Sequence, residues 1–114
     1  MRIKIVKAEG IKLIRMRSMN WWTMAEYPNS VYVRVKKGFN FQDALKHIPA
    51  TIIRHEVTHL KQMQRDGLAK FRARYWMQAA TKGYKNIDYE IEARAAENDE
   101  TIKYEIINKG DFLA

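Results

Sequence analysis

Five residues constrain this chain more than any others: His55-Glu56-Val57-Thr58-His59. Histidines four positions apart lie one turn above each other on the same face of an α-helix. In that conformation both imidazoles aim a nitrogen at one point, as a Zn²⁺ ion requires at about 2.0–2.1 Å. Glu56 sits beside them, close enough to take a proton from a water that such an ion acidifies, without being forced to ligate. With three positions fixed, a chance match in a chain of this length is on the order of a few in a thousand at average residue usage. The competing reading makes the two histidines satisfied core residues and leaves Glu56 in solvent. Burying two histidines without a partner is costly, which favours the metal.

The surrounding sequence supports the helix that this pattern needs. Pro49 suits a helix start, and Asp66-Gly67 is a stop signal, which predicts a first helix from about Ala50 to Arg65 with His55, His59, Ile52 and Met63 on its buried face. A second helix is predicted over about Leu68–Thr81, with Phe71, Tyr75 and Ala79 in register, ending before Gly83. A third begins near Asp88 as N-cap, carries Ile91, Ala95, Ile102 and Ile106 on one side, and ends at Gly110. The first 40 residues read as β. Ile3 and Ile5 alternate with cations, Glu9-Gly10 looks like a turn into a second strand with Ile11, Leu13 and Ile14, and Val31–Val35 is the clearest strand. Met19–Ala25 has large side chains without a clean period and receives no assignment. Strands followed by helices predict the α+β class: a small N-terminal antiparallel sheet packed on three C-terminal helices.

At 114 residues the chain fits one domain, residues 1–114. Cysteine is absent, so disulfides, zinc ribbons, iron–sulfur clusters and cysteine nucleophiles are excluded, and a metal must sit on His, Asp and Glu. No apolar run exceeds three residues and the N-terminus lacks a signal-peptide core, which predicts no membrane span and a cytoplasmic location. The formal charge of +8 divides into a basic body and an acidic segment after residue 86. That segment either pairs with the basic part of the fold or leaves the body free to attract a polyanion.

A catalytic zinc site needs a third protein ligand and an open fourth position. The extended pattern HExxHxxGxxH is excluded, because Gln62 and Arg65 stand where its Gly and His would be. His47, the remaining histidine, precedes Pro49 on another segment and reads as a surface or capping residue. Carboxylates are richest in Asp88-Tyr89-Glu90-Ile91-Glu92-Ala93-Arg94-Ala95-Ala96-Glu97. Glu90 and Glu97, seven apart, share a face with Arg94, whereas Glu92 points elsewhere. Taken alone, Glu90 reads as a first-turn acid that complements the helix dipole and pairs with Arg94.

Across about residues 50–97 the chain resembles the gluzincin metallopeptidases, in particular the small HExxH proteins of bacterial and phage genomes. Gln62, three residues after the motif, and Glu90-Ile91-Glu92-Ala93 carry the resemblance beyond HExxH itself. It implies a zincin-like fold, Zn²⁺ held by His55, His59 and Glu90, with Glu92 as the fallback ligand, and Glu56 as general base in hydrolysing a peptide or protein substrate. It also implies that Val31–Val35 is the edge strand that pairs with extended substrate. Gluzincins often carry an Asp four residues after the ligand Glu, where it orients a histidine; here that position is Arg94. Tyr75, Tyr84, Tyr89 and Arg94 are chemically able to stabilise an oxyanion, and spacing does not choose among them.

Two other functions compete. One is a nucleic-acid-binding module, in which Trp21, Trp22, Tyr32, Phe39 and Phe41 interleave with Lys and Arg. The other is a non-catalytic component of a larger assembly, such as a phage particle, in which a metal only staples the first and third helices.

Overall fold

The computed structural model describes residues 1–35, 40–41, 46 and 48–108. His47, Phe39 and Gly110, which entered the sequence reading, lie outside them. The described residues form an α+β structure with a four-stranded mixed sheet and four helices: β1 (Arg2–Lys7), α1 (Gly10–Ser18), β2 (Thr23–Glu26), β3 (Ser30–Val33), α2 (Ala50–Asp66), α3 (Leu68–Lys82), α4 (Asp88–Ala96) and β4 (Glu105–Ile106). A single 3₁₀ turn, Tyr84–Asn86, precedes α4.

The sheet is mixed rather than antiparallel. Its order is β2-β3-β1-β4. The central β1 pairs in parallel with β3 (Ile5 opposite Val31) and with β4 (Ile3 opposite Ile106), and only β2 and β3 run antiparallel. The expected hairpin at Gly10 does not form because Gly10–Ser18 is a helix; parallel pairing of β1 with β3 then follows, since it needs such a crossover. Apolar residues at 11, 13 and 14 fit either period. Only Met16 of α1 is buried, whereas Ile11 and Ile14 are 80% and 67% exposed. The unassigned segment runs into β2, whose four residues are all half-buried at the sheet edge and so show no alternation.

The C-terminal half follows its punctuation. Gly67 and Gly83 end α2 and α3 with φ of 86° and 83°, a region open to glycine, and their N–H groups donate to the carbonyls of Met63 and Ala79. The third helix is shorter than expected. It stops at Ala96, where Asp99 accepts the Thr101 N–H at 3.0 Å and its hydroxyl at 2.5 Å, offering the backbone an alternative to another helical turn. Ile102 therefore reaches the core from the segment that leads into β4, and Ile106 from β4 itself. Nor is Ile91/Ala95 the buried face of α4: Tyr89, Glu90, Ala93 and Ala96 are buried, and Ile91 is half exposed. Ile87, not Asp88, occupies the N-cap.

Ile3, Ile5, Val31 and Val33 project from one face of the sheet onto Ile53, Val57 and Leu60 of α2, and Phe71, Tyr75, Ile87 and Tyr89 extend this core toward α3 and α4. Ile52, expected beside the histidines on the buried face, is only half-buried. No helix among the described residues is long and apolar enough to cross a membrane.

Two isoleucines separate the observed fold from the expected hairpin. Ile5→Ala empties a site that is 1% exposed and should destabilise the protein by about 2–5 kcal/mol, whereas Ile14→Ala should change stability by no more than about 0.5 kcal/mol. Urea unfolding of the two variants measures both; equal losses would return residues 11–14 to a buried strand.

Candidate metal centre

Helix α2 has two working faces. One packs on the sheet through Ile53, Val57 and Leu60. The neighbouring one carries His55, Glu56 and His59 toward α4 and a cleft. The spacing of four stacks the imidazoles, and α4 lays its first turn against them, which brings Glu90, 1% exposed, between the rings. His55 Nε2 lies 3.0 Å and His59 Nε2 2.7 Å from Glu90 Oε1, and the two Nε2 atoms are 3.2 Å apart. Among the described residues these three form a group able to hold a metal ion, one ligand atom from each.

Their outer contacts decide which ring nitrogens face inward. His55 Nδ1 lies 2.8 Å from Glu97 Oε2, and His59 Nδ1 lies 2.8 Å from Gln62 Oε1. Gln62 spends its amide hydrogens on the Tyr89 carbonyl and Glu92 Oε1, which fixes its oxygen on His59. Both acceptors therefore place the proton on Nδ1, and each Nε2 turns a lone pair toward the other and toward a carboxylate oxygen. Three converging lone pairs repel unless a cation, either a proton or a metal ion, sits among them. The separations of 2.7–3.2 Å are close to the edge of about 3.3 Å of a tetrahedron with 2.0–2.1 Å bonds. The donor set, two imidazoles and one carboxylate with no sulfur, fits a zinc ion, and outer partners on both histidines are what such a site requires.

The electrostatics carry the same signature. Burial opposes charge on His55, but its contact with Glu90, the nearby Glu56 and the bond to Glu97 outweigh it and lift its pKa to about 9. His59 is raised in the same way, against stronger burial, by Glu90 and Glu56. Burial would raise Glu90, yet the two histidines hold it well below the usual carboxylate range. Glu56 moves upward: burial dominates, and the attraction of His59 and His55 recovers only part of it. Its Oε1 accepts the Thr23 hydroxyl of β2 at 3.2 Å.

The sequence-derived candidates divide accordingly. His55, His59 and Glu90 are brought together, with Glu56 beside them. Glu92 is not; its carboxylate lies 3.2 Å from Arg65 and is half exposed. Glu90 does not pair with Arg94, whose guanidinium donates to the Lys85 carbonyl. Of the four oxyanion candidates, Tyr75 donates to Glu90 Oε2 at 3.2 Å and Tyr84 lines the same cleft, whereas Tyr89 donates to Asp66 and Arg94 faces Lys85. The strand along the cleft is β2, not Val31–Val35, because β3 is enclosed between β2 and β1. Sequence reasoning missed Thr23 and the role of Glu97. The signal for Glu97 was present, since seven residues are two turns and return it to the face of Glu90.

With a pKa of about 9 folded against 6.5 unfolded, the His55 pairing stabilises the metal-free protein fully below pH 6.5, and that stabilisation is lost as pH rises to about 9. Thermal midpoints of chelator-treated protein should fall across this window, and less steeply in His55→Gln. A flat profile would contradict the charged cluster. No family model, no curated protein and no solved structure matches the chain.

Proposed function

We propose that this protein is a zinc-dependent peptidase of the gluzincin type on a zincin-like fold, and that it hydrolyses a bond in an extended peptide. The convergence of His55 Nε2, His59 Nε2 and Glu90 Oε1 between α2 and α4 is the observation that carries this reading. These three residues would hold the ion, and a zinc ion there supplies Lewis acidity toward the scissile carbonyl and toward an attacking water.

The chain's own groups divide the remaining work. Glu56, with its pKa raised by burial, is a stronger base than a surface carboxylate and accepts the proton of the attacking water. The Thr23 hydroxyl fixes one of its oxygens, leaving the other to move that proton to the departing amine. Burial and the Glu90 charge raise the pKa of Tyr75 and Tyr84, so both stay protonated at neutral pH, and Tyr75 commits its one hydroxyl hydrogen to Glu90 and so positions that carboxylate. The edge strand β2, beside the cleft, offers main-chain groups to an extended substrate by strand addition.

Glu56 also separates this reading from a metal staple inside a larger assembly, because a staple has no use for a base held at the cleft. Metal analysis of the purified protein should give about one zinc per chain, and His59→Ala should lose it together with thermal stability. Glu56→Gln should keep the zinc while peptide turnover falls by about 10²–10⁴-fold. Turnover that survives Glu56→Gln would sink the mechanism, and unchanged zinc in His59→Ala would sink the site.

A further inference from the structure

The cleft beside the histidine–glutamate cluster has a volume of about 160 Å³ and lies over α2 between β2 and α3. Thr23 meets Glu56 at the start of β2, and past its end the Pro28 carbonyl accepts from Gln64, so strand and helix run the same way. Helix α3 folds back after Gly67 and brings Tyr75 to Glu90. The cleft therefore has an inner end at Thr23, Glu56 and Tyr75. Its outer end lies at Tyr27, Met63 and Leu68.

Two cations line this cleft, Arg15 from α1 and Arg72 from α3. Both are exposed, and among the described residues neither guanidinium has an ion pair or hydrogen bond. Acids on the same lining are engaged elsewhere. Glu26 pairs with Lys12, Glu56 accepts from Thr23, and Glu90 meets the histidines. Arg72 shares a helical face with Trp76 and sits one turn toward the outer end, about 5.4 Å along the axis. One to two residues of extended peptide span that distance. Met63, Leu68 and Phe71 provide an apolar seat next to it. A guanidinium in a concave, partly apolar site attracts an anion more strongly than one on open surface, and its fork matches a carboxylate with two parallel hydrogen bonds.

We propose that the cleft selects peptides bearing an acidic side chain next to a large apolar one, with Arg15 and Arg72 as the specificity-determining residues. This rests on the peptidase reading for the path of the peptide, but it concerns recognition, which is measured without turnover. Zinc-loaded Glu56→Gln protein is titrated, by fluorescence anisotropy, with labelled, C-terminally amidated hexapeptides that differ only in Glu against Gln beside a Phe. The Glu peptide should bind about tenfold tighter than its twin. Arg72→Gln should reduce the ratio, and the Arg15→Gln, Arg72→Gln double variant should bring it close to one at unchanged zinc content and unfolding midpoint. Equal binding of the twins, a ratio that survives the double substitution, or no binding by any peptide overturns the proposal. So does binding of a labelled single-stranded oligonucleotide where the peptides fail, which would give these cations to nucleic acid. Turnover of the same peptides by the unmodified chain reports separately on the peptidase reading.

Discussion

Three lone pairs that point at one another between α2 and α4 are the constraint around which this structure is organised. Two imidazole Nε2 atoms and one carboxylate oxygen, within 2.7–3.2 Å of each other, are stable only around positive charge. Glu90 is 1% exposed and His59 7%, so water does little to relieve the repulsion. A proton shared among them is one solution, and it accounts for the raised histidine pKa values. A divalent ion is the other, and it uses all three lone pairs at once.

The rest of the fold serves this cluster by anchoring α2 from behind. Ile53, Val57 and Leu60 bind the helix to the sheet at positions interleaved with His55, Glu56 and His59. The helix cannot turn to hide its histidines without exposing its apolar stripe, so the polar face stays directed at α4 and the cleft. The sheet contributes in a second way. Its edge strand β2 lies along the cleft, and Thr23 at the strand's start holds Glu56. The same crossover that makes β1 and β3 parallel leaves β2 as the edge of this four-stranded sheet.

What was legible in the sequence follows from how local each signal is. The His55–His59 spacing and the glycines at 67 and 83 act within one or two helical turns, and the bounds of α2 and α3 came out within a residue. Gly10–Ser18 was unreadable because three apolar residues at 11, 13 and 14 satisfy a strand and a helix alike, and two of them face solvent. The run to Ile106 misled for a different reason. A helix whose buried face must include a charged Glu90 has no clean apolar stripe, so Ile91 and Ala95 outside it looked like the inner face. Strand partners were out of reach altogether, since β1 meets β4 about a hundred residues away, through a pairing that no local pattern announces.

Glu97 shows how the end of α4 is tied to His55. One turn beyond Glu90 stands Arg94, whose guanidinium turns away to the Lys85 carbonyl. Two turns beyond Glu90, Glu97 returns to the same side of α4, and its carboxylate reaches His55 Nδ1 at 2.8 Å. It lies just past the last helical residue, where a chain end would ordinarily fray. Arg54 prevents this: its Nε donates to the Glu97 carbonyl at 2.7 Å. Its own carbonyl in turn accepts the Thr58 hydroxyl. Residues 54 and 55 thus grip residue 97 by main chain and side chain together. The acid that orients His55 is therefore held from α2 itself, and the centre keeps its inward-facing nitrogens even though α4 ends there.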